Sequence, residues 1–427
     1  MKCTFEIWLH GQWKECCTVE VRDPGLGGIG SSMLDYDIEY AFSETAPVSL
    51  RFPVSAKVEQ LSCWPSFLFD LVPQGKGRHY LLGELKLGNG IAADWPLLCA
   101  GAFNPIGRLR VKEAVDFYKA HVERLSGVDV AQGFSTDAIL ERSEEFIEHL
   151  HRHSMLSAGT PGVQGVAPKF LLTKGMDGLW YADGVLPDEQ AQKHYLLKLP
   201  RGKHASDIKI LQNEAAFMRV AKEVGILVHE MPELQDDMLF IPRFDRRAGG
   251  GRVERLHQES AASLMGQIGF DAIPAQNEVL AALRKYTTNP TETTVEFLKR
   301  DVLNIAMGNT DNHARNTAVQ IVDGRVQLTP LFDFAPMNLD REGVARTLRW
   351  KRDDRTEIAN WVDVLQFLGF DQVELGQIGA ELFAFEGELE KLPDVMRAQG
   401  VDDDIISQRY HAIQGQREQL RELGSRG

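Results

Sequence analysis

The sequence predicts an α+β chain of two lobes, a mixed α/β amino-terminal lobe and a mainly helical carboxy-terminal one. Three observations predict it. At 427 residues the chain is too long for a typical single core. Short β-forming runs broken by turns fill roughly the first 110 residues and return before residue 241. From Leu256 onward apolar residues recur at helical spacing, interrupted by one hairpin. The expected spans are an α+β subdomain over 1–110, the rest of the first lobe over 111–241, and the helical lobe over 242–427.

The segment Met1 to His10 alternates polar and apolar residues and reads as a strand, without the apolar stretch a signal peptide needs. Val48 to Pro53 reads as a further β-run and Pro65 to Leu71 as a helix. Between Val111 and His153 two helical stripes follow, Phe117, His121 and Leu125, then Ile139, Phe146 and Leu150. A glycine-rich stretch from Ser154 to Lys169 leads into the apolar Phe170-Leu171-Leu172. Glycine lets backbone N–H groups approach phosphate oxygens closely, although no Walker A pattern is present and a plain surface loop has the same composition.

Lys198 sits in the apolar strand His194 to Pro200, where a buried ammonium needs an anionic partner. Glu214, three residues before Phe217, shares the inward face of a helix expected over Asn213 to Val224, with Val220 and Ala221 on the same stripe. A strand lysine paired to a helix glutamate is the arrangement protein kinases use, and a structural ion pair fits the same residues. Met238 to Arg247 reads as a buried strand ending in a charged bend, followed by Ala248 to Gly251, and a strand stopping at a flexible bend is a natural hinge whose exposed backbone could meet an adenine edge. Arg243, Arg246, Arg247 and Arg252 are expected to lie on a solvated surface.

The chemistry concentrates in Gly308 to Asn316 and Leu328 to Asp333. Between them Asp323-Gly324 signals a type I′ turn, so Val322 is expected opposite Arg325, and Asn316 opposite Leu331. That hairpin would bring the Asn316 amide oxygen and the Asp333 carboxylate together as Mg²⁺ ligands, with Asp311 placed to orient or deprotonate a hydroxyl. Leu298, Val302, Ile305 and Ala306 form the inward stripe of the helix that delivers Asp311. Asp402 to Arg421 reads as a last helix with solvent-facing charges.

Composition narrows the classes. A net charge of −14 opposes broad non-specific nucleic-acid binding. The five cysteines, Cys3, Cys16, Cys17, Cys63 and Cys99, form no CxxC pair and read as reduced thiols of a cytoplasmic protein. No apolar stretch reaches membrane-spanning length.

Read in order, the glycine-rich segment, Lys198, Phe244-Asp245-Arg246-Arg247, Asp311-Asn312-His313-Ala314-Arg315-Asn316 and Leu328-Thr329-Pro330-Leu331-Phe332-Asp333 resemble the HipA family of bacterial serine/threonine kinases, toxins of type II toxin–antitoxin systems. The resemblance runs from about Gly162 to Asp333 and is looser toward the amino terminus. It implies a two-lobed kinase-like fold that binds ATP and Mg²⁺ and phosphorylates a protein hydroxyl, an aminoacyl-tRNA synthetase among the family's targets. It also implies restraint by a helix-turn-helix antitoxin, with nucleic acid reached only through that partner.

On this resemblance Asp311 matches the catalytic aspartate and Asp333 the metal-binding one, with Asn316 as the second metal ligand. His313, Asn316 and Phe332 fall at the nucleotide. Gly162, Val163, Gln164, Gly165 and Lys169 match the phosphate loop, Lys198 the phosphate-binding lysine backed by Glu214, and Pro242, Arg243 and Phe244 the adenine-contacting hinge. Arg315 stands where the family has lysine, and Ser157 and Thr160 are the candidates for autophosphorylation. A small-molecule phosphotransferase, a silent kinase-like scaffold and a metal-dependent nuclease are the alternative readings.

Overall fold

The structure is a computed structural model that describes residues 1–124, 132–142, 146 and 168–424. Its contacts divide the chain into two interleaved units, Met1–Leu199 with Phe240–Ala272, and Pro200–Leu239 with Ile273–Gly427. The chain thus changes unit at 199/200, 239/240 and 272/273.

The first unit opens on an antiparallel sheet built from β1 (Lys2–Leu9), β2 (Gln12–Val21), β3 (Ser32–Tyr36), β4 (Glu59–Leu61) and β5 (Leu109–Val111), in the order β4-β3-β2-β1-β5. Alternation sends Cys3, Phe5 and Ile7 of β1 into the core. On β2 two successive residues, Cys16 and Cys17, are both buried. The register steps from Phe5↔Cys17 to Glu6↔Glu15, so Cys16 is the extra residue of a bulge, and its thiol donates to the Phe5 carbonyl. All five cysteines are free thiols.

Two expected elements of this region take other forms. Pro65 to Leu71 yields a short 3-10 helix, Ser66–Asp70. Val48 to Pro53 forms no strand beyond an isolated Ser49↔Phe52 bridge. The reason lies far along the chain, where the buried Glu259 carboxylate accepts from Ser49 Oγ at 2.6 Å and from the Leu50 N–H at 2.8 Å. Backbone donors committed to a carboxylate are lost to a ladder.

A second sheet in this unit contains β6 (Lys169–Gly175), β7 (Trp180–Ala182) and β8 (Ala191–Lys198) in the order β7-β6-β8, continued by the strand Met238–Pro242. Beyond it Arg246–Gly249 pairs antiparallel with Arg252–Arg255, and Gly250 and Gly251 turn the chain at φ +59° and +70°. The glycine run after the bend is therefore a hairpin turn.

The solvated surface expected of the arginines is also overturned for two of them. Arg243 and Arg246 are buried in a network with Asp183 and Asp245. Arg243 grips Asp245 through Nε at 2.9 Å and Nη2 at 2.7 Å, and reaches Asp183 Oδ2 at 2.5 Å through Nη1. Arg246 donates to Asp245 Oδ2 at 2.6 Å and to the carbonyls of Gly107 and Pro105. Asn104 Nδ2, Thr173 Oγ1 and the Gly107 N–H complete the carboxylates' bonding, and His194 Nδ1 lies 2.8 Å from Asp183. Arg247, about half exposed and paired with Glu254, does lie on the surface.

In the second unit the helix expected from Asn213 begins earlier, at Ala205, and runs to Glu223. Its amino-terminal cap is the ring of His204, which accepts from the Ser206 N–H, an unusual capping residue that composition does not announce. Phe217, Val220, Ala221 and Val224 are buried as expected. The helix Pro290–Met307 buries Leu298, Val302 and Ala306 and ends at Gly308 with φ +86°.

The last helix, Asp403–Gly424, is less solvent-directed than its charges suggest. Arg409 donates to the carbonyls of Ile305 and Ala306, closing the carboxy-terminal end of the helix Pro290–Met307, where a cation is favoured. Among the described residues no helix is long and apolar enough to cross a membrane.

Candidate active site

The hairpin forms as the turn signal requires. Ala318–Val322 pairs with Arg325–Leu328 with Val322 opposite Arg325, and Asp323 and Gly324 take φ +49° and +75°, both positive as in a type I′ turn. The ladder stops sooner than expected. Its last bond is the Thr329 N–H to the Ala318 carbonyl, Asn316 lies in a 3-10 turn over Ala314–Asn316, and the Leu331 N–H donates instead to Leu227. Asn316 and Leu331 are therefore not ladder partners, yet both line the same cavity.

That cavity is small, about 30 Å³, and its walls include Asp301, Asn309, Asp311, Asn316, Phe332 and Asp333. It is sized for an ion or one or two waters, since a single water needs roughly 10–15 Å³ by this measure. Its lining is rich in oxygen acceptors. The Oε1 of Gln276 and Oδ1 of Asn309, both of buried lining residues, have no hydrogen-bond partner.

The loop geometry sorts these groups. Asn316 Nδ2 donates to the Asp311 backbone carbonyl at 2.9 Å, which fixes the amide so that its Oδ1 is the atom left for a cation. Asp333 holds φ +54°, a left-handed conformation that costs a non-glycine residue free energy and that clusters at functional positions. The side chain of Asp311 is about 28% exposed, open enough to meet a substrate, and His313 Nε2 stands 3.6 Å from its Oδ1.

Oxygen donors of Asn316 and Asp333 fit Mg²⁺, which takes one or two protein carboxylates or carbonyls and completes its shell with water and phosphate. Among the described residues no cluster of three or more His, Cys, Asp or Glu is arranged to hold a metal unaided.

Sequence pattern alone assigns no role to Asn312 or to Asp301. Asn312 is buried, its Oδ1 accepts from the Thr347 and Leu348 N–H groups at 3.2 and 3.3 Å, and its Nδ2 donates to the Leu348 carbonyl at 3.1 Å. Asp301 is fully buried and holds Arg346 Nη2 through both oxygens at 2.8 Å and Trp350 Nε1 at 2.8 Å. These residues pin the loop from behind. Asp301 was within reach of the sequence, because it lies three residues after Leu298 on the inward face of its helix.

The other expected site residues fall as follows. Lys169 and Lys198 are both buried and directly opposed across β6 and β8, so their ammonium groups share one face of the sheet, where like charges call for a negative counterpart. They belong to the first unit with Pro242, Arg243 and Phe244; Glu214, buried in its helix, belongs to the second. The Arg243 side chain is consumed by Asp183 and Asp245, and its N–H by the His194 carbonyl. Arg315 is buried beside the loop. Gly162, Val163, Gln164, Gly165, Ser157 and Thr160 lie outside the described residues.

The turn offers a clean test of what the hairpin does. Nothing lies within 4 Å of a Cβ built on Gly324, so Gly324→Val adds strain without a clash. Forcing a β-branched residue into the left-handed region costs about 1–2 kcal/mol. The variant is expected to melt a few degrees lower and to bind Mg²⁺ more weakly in the presence of nucleotide by isothermal titration. Unchanged Mg²⁺ affinity would show that the hairpin does not set the spacing of Asn316 and Asp333.

Comparison with known proteins is consistent across sequence and fold. The family described as HipA-like C-terminal domain matches residues 162–391, more than half of the chain. The Y4mE protein of Sinorhizobium fredii, whose name marks it as a kinase candidate, is 24% identical over 325 residues, covering 70% of this chain and 72% of its own. The serine/threonine-protein kinase toxin HipA of Shewanella oneidensis is 24% identical over 305 residues, 64% of this chain and 63% of that one. The solved toxin–antitoxin complex of HipA, HipB and operator DNA from Shewanella oneidensis superposes with TM-score 0.64 at 19% identity, over 99% of this chain and 97% of that one. At that identity the likeness is one of fold, a mixed α/β amino-terminal region followed by a mainly helical carboxy-terminal one.

Proposed function

This chain belongs to the HipA family, and we propose that it is an ATP- and Mg²⁺-dependent protein serine/threonine kinase acting in the cytoplasm. The observation that carries the reading is the convergence of Asp311, Asn316 and Asp333 on one ion-sized cavity at the open end of a hairpin. Asp311 orients the acceptor hydroxyl and takes its proton as the bond to phosphorus forms. Asn316 Oδ1 and Asp333 would hold Mg²⁺, which would supply neutralising charge to the phosphates. Lys198 and Lys169, opposed on one face of their sheet, are the cations we assign to phosphate oxygens. Asn312 and Asp301 keep the loop from drifting, which matters because a misplacement of about 1 Å can cost 10²-fold in rate.

The acceptor we propose is a cellular protein, with an aminoacyl-tRNA synthetase as the family precedent, and growth inhibition as the outcome. The complex of the Shewanella oneidensis protein with HipB and operator DNA supports an antitoxin as the restraining partner, and nucleic acid would then be met through that partner. Incubation with γ-labelled ATP, Mg²⁺ and whole-cell extract tests the reading. Label in a discrete protein band, together with a one-phosphate mass shift on the chain itself, is the expected result. Label confined to small molecules would assign a metabolite phosphotransferase instead, and ATP binding without any transfer would leave a scaffold.

A further inference from the structure

We propose that a second cavity in the carboxy-terminal unit binds a small organic monoanion with an aromatic body. The cavity measures about 210 Å³, and its walls include Arg346, Trp350, Ile358, Trp361, Val364 and Gln416. Its apolar character is built in. Trp350 Nε1 is spent on Asp301 and Trp361 Nε1 on Gln416 Oε1 at 2.9 Å, so the two indoles, 6.2 Å apart at 75°, offer ring surface and not donors.

One polar group in this wall is left over. Arg346 uses Nη2 on both oxygens of Asp301, while its Nη1 is buried without a hydrogen-bond partner in a side chain only 11% exposed. Arg349 cannot supply the anion preference, since it is more exposed and its Nη1 already meets Glu357 at 3.1 Å. A guanidinium nitrogen with no acceptor favours an ionised one, because charge-assisted hydrogen bonds are roughly twice as strong as neutral ones. A carboxylate on a flat apolar body satisfies the donor and the indoles together.

The site is wired to the loop described above. Arg346, Arg349 and Trp350 line this cavity, and the segment they belong to holds Asn312 through Thr347 and Leu348 and holds Asp301 through Arg346 and Trp350. An anion drawn to Nη1 pulls the guanidinium toward the cavity, changes how Nη2 meets Asp301, and so biases where the loop rests. The consequence for phosphoryl transfer rests on the function proposed above; binding itself does not.

Calorimetric titration of the full chain with phenylacetate, against its neutral isostere phenylacetamide, is the test. Saturable binding of phenylacetate, with the amide at least about tenfold weaker, is expected for one charge-assisted bond. Ala359→Trp places a bulky group at an exposed position of the cavity lining and leaves Arg346 and Asp301 untouched, so it should abolish binding with unaltered melting. Equal affinity for the two probes, no saturable heat at millimolar concentration, or full binding in Ala359→Trp would each overturn the proposal. Amide exchange over Asp311 to Asn316 should change on adding phenylacetate, and an unchanged profile at saturation would refute the link to the loop. These readouts need no kinase activity, so failure of the labelling experiment would leave them standing.

Discussion

Asp311→Ala and Asp333→Ala are each expected to cut phosphoryl transfer severely while the protein stays folded. For Asp311 the loss should fall within roughly 10²–10⁴-fold, the usual contribution of a positioned acid or base. The effect cannot be routed through Asn316, because Asn316 Nδ2 bonds to the Asp311 backbone carbonyl, which alanine retains. For Asp333 the loss should exceed about 10³-fold, since a missing metal ligand forfeits several kcal/mol of charge stabilisation and each 1.36 kcal/mol is tenfold in rate.

A companion substitution separates a functional role from a structural one at residue 333. Asp333 sits at φ +54°, a conformation glycine adopts without penalty. Asp333→Gly should therefore be more stable than Asp333→Ala by about 1 kcal/mol, from the cost of the left-handed region for residues with a Cβ, and should be as inactive. A residue kept at a conformational cost for its carboxylate behaves in this way. Transfer surviving in either variant at position 333 would remove the carboxylate from the mechanism. Enzyme assay and thermal melting of the same preparations give both readings.

Local features were legible in the sequence and distant ones were not. The Asp323-Gly324 turn, the stripe of Leu298 and Val302, and the buried face of Phe217 each follow from a few neighbouring residues, and each matches the structure. The ladder was drawn too long because the sequence does not show that Leu331 gives its N–H to Leu227, about a hundred positions away. Val48 to Pro53 looked like a strand for the same reason: its alternative partner, Glu259, is distant. The convergence of Asp311, Asn316 and Asp333 on one cavity was readable because they flank one hairpin and local pairing almost delivers them. What supports them, Asp301 with Arg346 and Asn312 with Leu348, depends on folding a later segment back onto the loop. Arg243 and Arg246 were misread most severely, since a surface arginine and a buried one have the same sequence signature until an acid such as Asp183 is seen beside them.

Arg243→Met is expected to be among the most destabilising single changes in the first unit. Arg243, Arg246, Asp183 and Asp245 balance to zero net charge inside the fold, and methionine leaves one buried negative charge unmatched. Breaking a buried pair in this way typically costs 3–5 kcal/mol, which for a unit of this size lowers Tm by roughly 6–20 °C. Burial by itself would raise the carboxyls of Asp183 and Asp245, but Arg243, with His194 at Asp183 and Arg246 at Asp245, outweighs it and holds both well below the usual carboxylate range. A carboxyl depressed in the folded state stabilises above its unfolded value, near pH 4, and that contribution fades as pH falls through the folded value. In the wild type the network should therefore weaken only under strong acid. In Arg243→Met burial loses its main opponent and Asp183 rises, so protonation relieves the variant and its deficit should narrow as pH falls from 7 toward 5. Asp183→Asn in the Arg243→Met background should recover part of the loss for the same reason, keeping the hydrogen bonds of Thr173 or Asn104 while removing the charge. Denaturant melts of the two single variants and the double variant across that pH range decide the matter: strictly additive, pH-independent losses would mean that Arg243 contributes packing and not charge.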